Sequence, residues 1–205
     1  MINFKWRHFE KDIILMSIRW YVAYSLSYRD IEELMNERGI SVDHTTVNRW
    51  VMTYSEKLES IFQSRHKKTP GRSWRMDETY LKIKGKWSYL YRAVDKEGAT
   101  VDFFLSEKRD KKAAKLFCEK AMSYSGKPKK VTIDKSGSNQ SALVAINNEL
   151  PENKEIEVRQ IKYLNNRVEQ DHRSVKRITD PMMGFKAFHS AKATLAGIEP
   201  NFITC

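Results

Sequence analysis

The sequence predicts a chain in two parts, a small all-helical domain followed by an α/β domain, and three observations carry that expectation. Apolar residues before residue 63 recur at helical spacing. The segment from residue 74 switches to an aromatic and branched strand pattern, and from residue 109 helix-like and strand-like stretches alternate. Between the two parts, QSRHKKTPGRSW is polar and basic and carries Pro70 and Gly71, so it reads as a linker. The expected division is therefore 1–62, a linker over 63–73, and 74–205.

The elements follow in order. In FEKDIILMSIRWYVAY, Phe9, Ile13, Ile14, Ile18, Tyr21 and Val22 fall near one face of a helix. Residues 25–51, SLSYRDIEELMNERGISVDHTTVNRWV, read as a helix-turn-helix. Ser27 is placed to cap the first helix with Asp30 three positions on, Ile31, Leu34 and Met35 form its apolar stripe, and Gly39 suits a helix stop at positive φ. Asp43 caps the second helix, where Val47, Trp50 and Val51 turn inward. That leaves His44, Thr45, Asn48 and Arg49 outward, a set able to meet base edges and phosphates in a DNA groove. An ordinary helical hairpin on a basic surface has the same spacing.

WRMDETYLKIKGKWSYLYRAVDKEGATVDFFL reads as three strands joined by hairpins at Gly85-Lys86 and Lys96-Glu97-Gly98. A helix over 109–123, a strand over 129–133, a helix over 138–150, a strand over 156–161 and a helix over 165–177 complete the pattern. Trp87, Tyr89 and Tyr91 alternate along a strand and are expected in the core or on a sheet face, while an exposed aromatic among them could stack on a flipped or unpaired base. Asp95 is expected in a turn and His172 facing solvent. Asn165 and Asn166 are placed to cap the last of these helices, Asn166 with Glu169 three residues on.

Composition bounds the partners. Of 205 residues, 37 are Lys or Arg and 26 Asp or Glu, giving a net charge of +11, and 40% are hydrophobic. Such a chain can bury a core, which excludes a disordered basic tail. No apolar run is long enough to span a bilayer and no secretory signal pattern opens the chain, so a cytoplasmic, nucleoid-associated protein is expected. The two cysteines, Cys118 and Cys205, form no metal or redox motif. A basic foldable chain favours a polyanion such as nucleic acid.

Three carboxylates are the candidate chemistry. Strand alternation puts Arg75, Asp77 and Thr79 on one face and Met76, Glu78 and Tyr80 on the other, so Glu78 is not expected beside Asp77 as a ligand. Asp134 follows KKVTI at the carboxyl end of a strand, where α/β sites gather. Glu169, Arg173 and Lys176 stand at i, i+4 and i+7 of a helix, one acid and two bases on one face. Converging acids repel by about 4 kcal/mol at 4 Å and an effective dielectric near 20. A bound hard cation such as Mg²⁺ or Mn²⁺ removes that cost, and a pair of such ions suits phosphoryl transfer. By spacing alone, three solvated carboxylates fit equally well.

Together, RMDETYLKIKGKWSYLYRAVDKEG, VTIDKSG and KYLNNRVEQDHRSVKR resemble the catalytic domain of a bacterial DDE transposase, in particular the insertion-sequence-six family. SYRDIEELMNERGISVDHTTVNRW and GFKAFHSAKATLAGIE extend the resemblance over nearly the whole chain. It implies an RNase H-like fold with Asp77 on the first strand, Asp134 after the fourth and Glu169 on a later helix, as catalytic and metal-holding triad. The 35 positions from Asp134 to Glu169 agree with the family pattern, and Lys176 matches a basic residue seven positions after the glutamate. The implied activity is metal-dependent cleavage at transposon ends followed by strand transfer into target DNA. Two ions, double-stranded DNA and a homodimer or larger assembly are the implied partners.

Two features depart from the family pattern. Asn48 stands where relatives usually have Tyr, and Pro200 follows AGIE where relatives usually continue in basic helix, so a shortened terminal element is expected. A transposase remnant that binds DNA without cutting it, or an RNase H-like nuclease without sequence reading, is the remaining alternative.

Overall fold

The computed structural model describes residues 8–66, 69–134, 136–161 and 166–203. The chain forms two compact units, residues 1–67 with 175–205, and residues 68–174.

The first unit is built on α1 (Lys11–Ala23), α2 (Tyr28–Asn36), α3 (His44–His66) and α7 (Phe188–Ile203). In α1, Ile14, Ile18, Tyr21 and Val22 are buried on the predicted face, and Ser17 joins them by donating its hydroxyl to the Ile13 carbonyl at 2.8 Å. Phe9 packs edge-on against Trp50, with centroids 5.2 Å apart. The capping box at the start of α2 forms as expected. Asp30 N donates to Ser27 Oγ at 3.2 Å, and Ser27 N to Asp30 Oδ2 at 2.7 Å. Gly39 takes φ +73° and turns the chain toward α3.

Two boundaries differ from the sequence reading. Helix α3 runs through His66, taking in 63–66 of the predicted linker. Gln, Ser, Arg and His do not stop a helix, and the first residue that does is Pro70. Lys67 and Lys68 lie outside the described residues. The second difference is α7, which packs against α1 and α3, whereas residues 74–205 were expected to fold together. Its buried residues are mostly small, Ala191, Ala193 and Ala196 with Leu195 and Ile198, so the helix can approach its neighbours closely. Nor does α7 end at Pro200; it continues to Ile203. Proline removes one donor and leaves the other bonds of the last turn to form.

The helix comes close at Gly197, where an added Cβ would stand 2.6 Å from Val22 Cγ1 and 3.1 Å from Ser55 Oγ. In an open helix, Gly→Ala gains roughly 0.5–1 kcal/mol. Here overpacking, at about 1–3 kcal/mol, wins. Gly197→Ala should therefore lower the denaturant midpoint of the protein, and a raised midpoint would show that α7 has room to spare.

The second unit is a five-stranded sheet in the order β3-β2-β1-β4-β5, from β1 (Ser73–Ile83), β2 (Lys86–Asp95), β3 (Thr100–Ser106), β4 (Lys130–Ile133) and β5 (Glu157–Gln160). The first three strands are antiparallel, while β4 runs parallel to β1 and β5 to β4. The predicted strands and their order along the chain hold, with one shift. The first hairpin turns on Lys84 and Gly85, both at positive φ (50° and 76°), so Ile83 faces Lys86 across a two-residue loop. Two positive φ values match the right-handed twist of the flanking strands. Asp95 is the predicted turn residue and is buried. Its carboxylate accepts from the N–H groups of Glu97 (3.0 Å), Ala99 (2.8 Å) and Gly71 (3.0 Å).

Helices α4 (Lys111–Ser125) and α5 (Gly137–Asn148) cover one sheet face. Asp110 caps α4 by accepting from Ala113 N at 2.8 Å, and Gly126 ends it at φ +75°. Trp74, Met76, Tyr91, Ala93, Val131 and Ile133 from the sheet pack against Phe117, Cys118 and Leu143. Cys118 is a free buried thiol, pushed up to about 12 by burial, and Cys205 lies outside the described residues. Helix α6 (Asn166–Thr179) begins in this unit and ends in the helical one.

Candidate active site

The β1–β4 register pairs Arg75 with Thr132, and two residues further on each chain stand Asp77 and Asp134. Parallel pairing thus brings the two acids to the same level on adjacent strands, Asp77 midway along β1 and Asp134 just past the carboxyl end of β4. Asp134 lies just past β4, where its Oδ1 accepts from Ser136 N at 2.9 Å. Glu169 is exposed in the first turn of α6. These are the positions expected of the three acids.

Charge crowding links them. Burial, reinforced by the negative charges of Glu78, Asp134 and Glu169 and partly offset by a backbone N–H of Glu78, pushes the Asp77 carboxyl up to about 7. A donor set of carboxylate oxygens with excess negative charge fits a hard divalent cation. Among the described residues no three Asp, Glu, His or Cys side chains stand at metal-ligand spacing, so the acids are neighbours without forming a closed cage.

His172 departs from expectation. It is buried, with Nε2 3.6 Å from Asp77 Oδ2, because Val168, His172 and Val175 stand at i, i+4 and i+7 on the inward stripe of α6. That spacing was present in the sequence. Arg173 is exposed and Lys176 half-buried on the same helix. Asn165 lies outside the described residues, and α6 starts at Asn166.

Glu78, by contrast, is on the helix-covered face as alternation predicted, and buried there. Arg109 Nη2 forms an ion pair with its Oε1, and Asn139 Nδ2 donates to its Oε2 at 2.7 Å. Ser136 Oγ stands 3.4 Å from the same carboxylate. The network therefore joins the strand bearing Asp77 to the start of α5, next to Asp134. No local pattern in the sequence marks Arg109 or Asn139 as its partners, since they are 31 and 61 residues away.

In the helical unit, Val47, Trp50 and Val51 are buried while Thr45, Asn48 and Arg49 are exposed, as the helix-turn-helix reading requires. His44 is half-buried and already engaged, with Nδ1 2.8 Å from Glu32 Oε2. Asp43 caps α3 by accepting from the N–H groups of Thr45 (2.9 Å) and Thr46 (3.0 Å) and from both threonine hydroxyls. Those bonds, led by the Thr45 hydroxyl, hold its carboxylate well below the usual range.

A mixed five-stranded sheet in this order, with helices over one face, is an RNase H-like fold. The family model for the DDE domain of IS240-type transposases matches residues 71–201. The chain is 44% identical over 200 residues to the transposase for the insertion sequence-like element IS431mec of Staphylococcus aureus strain Mu50, covering 97% of this chain and 87% of that protein. It is 43% identical, with the same coverage, to the transposase for insertion sequence element IS257 in transposon Tn4003 of Staphylococcus aureus. Among solved structures, the catalytic core domain of HTLV-2 integrase in complex with magnesium is similar over 63% of this chain and 83% of that one, at 17% identity and a TM-score of 0.47. The chain belongs to the DDE transposases of the insertion-sequence-six family.

The Asp77 environment has a measurable consequence. Its pKa is raised by folding, from 3.8 to about 7, so its contribution is neutral below 3.8. As pH rises through that window the unfolded chain ionises first, and the fold loses stability until about pH 7. In metal-free protein at pH 8, Asp77→Asn should thus raise stability by roughly 2 kcal/mol, given about 1.4 kcal/mol per pKa unit and some relaxation of the site. Thermal melts of both proteins at pH 8 and pH 4 check this; equal stability at both would mean the acid is not under strain.

Proposed function

We propose that this chain is a DNA transposase that cuts at transposon ends to expose 3′-hydroxyls and transfers those ends into target DNA. The observation that carries the reading is the crowding of Asp134 and Glu169 around the half-buried Asp77, in a chain of this family. In the first step water replaces the 3′-bridging oxygen at the end of the element. In the second, the freed 3′-hydroxyl replaces a bridging oxygen in the target. Each step forms one P–O bond for the one it breaks, so no nucleotide energy source is needed.

Asp77, Asp134 and Glu169 are the residues that would hold Mg²⁺ or Mn²⁺, in our reading two ions, which when bound supply Lewis-acid activation and charge neutralisation at phosphorus. His172, 3.6 Å from Asp77, orients that carboxylate from the α6 side. Arg173 and Lys176 offer cationic groups along the helix that bears Glu169, suited to DNA phosphates. Residues 1–62 act as the DNA-reading domain in this proposal. Thr45, Asn48 and Arg49 meet the groove, and His44 contributes while tied to Glu32. The basic stretch after α3 follows the backbone and the unit of residues 68–174 carries out the chemistry, while α7 packs within the helical unit.

The partners are terminal-repeat and target duplexes, and two ends require a homodimer or larger assembly. Among the described residues no helix is long and apolar enough to cross a membrane. A DNA substrate places the protein in the cytoplasm with the nucleoid.

The test is nicking and strand transfer of a cognate end with Mg²⁺ or Mn²⁺. Asp77→Asn, Asp134→Asn and Glu169→Gln should each reduce both products to background while retaining end binding. Undiminished products would remove the triad assignment, and a wild-type chain that binds ends without cutting them would be a DNA-binding regulator. In a binding competition among terminal repeats, Asn48→Tyr should change the preferred sequence, whereas Arg49→Ala should weaken all sequences. An unchanged preference would show that position 48 reads no base.

A further inference from the structure

The sheet face covered by α4 and α5 does not end where the helices do. Along β1 it passes from Met76 (1% exposed) through buried Glu78 to Tyr80, 44% exposed, and then to exposed Lys82. Across the hairpin, Tyr89 faces Tyr80 and Trp87 faces Lys82, so all four side chains share that face. Trp87 lies on a sheet face, one of the positions expected of it, and is 62% exposed there. The rings form a cluster, with Tyr80 edge-on to Trp87 at 6.2 Å and to Tyr89 at 5.4 Å. Burying Trp87 would ordinarily be favourable by a large margin, so a ledge of this kind is unusual on a surface with no partner.

Cations border it. Lys82, Lys84 and Lys86 are exposed on the hairpin, and Arg109 Nη1 donates to Tyr80 Oη at 3.2 Å. Arg109 is itself over a third exposed while its Glu78 partner is buried, and it lies within the field of Asp134. The ledge is therefore linked through Arg109 to the Glu78 network beside Asp134, on the face of β1 opposite Asp77. A second copy of the chain is disfavoured as occupant, because a two-fold contact would set Lys82 and Lys86 against like charges. Rings bordered by ammonium and guanidinium groups instead match a nucleic acid strand, with ring faces for bases and cations for phosphates. Bases inside a duplex have both faces covered, so only an unpaired nucleotide can use the rings.

We infer that the β1–β2 ledge of Tyr80, Tyr89 and Trp87 with Lys82 and Arg109 is a stacking site for unpaired nucleotides of the DNA strand beside the cleavage point. The inference rests on the transposase reading for the identity of that strand. It assigns the hairpin the task of holding a frayed end away from its complement, a task independent of base identity.

The test uses the full chain in metal-free buffer, with fluorescence anisotropy of a labelled oligothymidylate and of a blunt duplex carrying the terminal repeat of its element. Trp87→Ala should weaken oligothymidylate binding by about five- to a hundredfold and leave duplex binding within about twofold, since the duplex is held by cations and grooves. Trp87→Tyr should recover most of the loss. Unchanged oligothymidylate affinity in Trp87→Ala overturns the stacking site, as does a wild-type chain that ignores oligothymidylate. The same unchanged affinity with a loss of dimer in sedimentation would give the ledge to a second copy. A wild-type chain that binds oligothymidylate but not the terminal-repeat duplex would instead count against the transposase reading, so the two failures are distinct.

Discussion

Two neighbouring carboxylates on β1 face opposite sides of one sheet, and only one of them is neutralised by the protein. Glu78 is given Arg109 and Asn139 on the helix-covered side. Asp77 is half-buried, near His172 and in the field of two further acids. A buried, fully partnered charge can be close to neutral in its effect on stability, whereas a buried charge among like charges costs several times as much as it would in water. The rest of the second unit makes that cost tolerable. The long pairing of β1 with β2 fixes the strand, and the Glu78 network ties it to the start of α5. Asp77 and Asp134 are thereby held at one level on adjacent strands.

Legibility in the sequence followed the range of the physics. Capping at Ser27, the stop at Gly39 and the inward set Val47, Trp50 and Val51 depend on residues within one or two turns, and they were read correctly. The strands and the edge position of Asp134 depend on alternation and on a hydrophobic run, again local. Long-range facts were not legible in the same way. Which unit takes α7 depends on a Gly197 contact with Val22 and Ser55, 175 and 142 residues away along the chain. The burial of Glu78 depends on Arg109 reaching back from the α4 side. For Trp87 the core and the sheet face both stayed open, because alternation tells which face a residue shares and says nothing of where the covering helices end. His172 was misread for the opposite reason, since its helical stripe was visible and a polar residue on it was taken for a surface one.

The division of charge follows the same line. The excess of basic residues does not crowd the acids; among the described contacts, Arg109 is the cation that approaches Asp134, and it is bound to Glu78. Lys82, Lys84 and Lys86 on the hairpin and Arg173 on α6 are exposed.

The two-residue turn at Lys84 and Gly85 sets something larger than a bend. Because side chains alternate, β2 is legible against β1 in only one phase, and this turn selects the phase. In the observed phase Tyr89, Tyr91 and Ala93 join the helix-covered face, while Leu90, Arg92 and Val94 lie with Asp77. One residue more or fewer in the loop would exchange those rows, bringing the indole of Trp87 to the acidic side and the guanidinium of Arg92 to the apolar one. The hairpin thus serves the sheet as a start codon serves a message. Substitutions along β2 alter single side chains, but a length change at its tip alters the meaning of every residue after it.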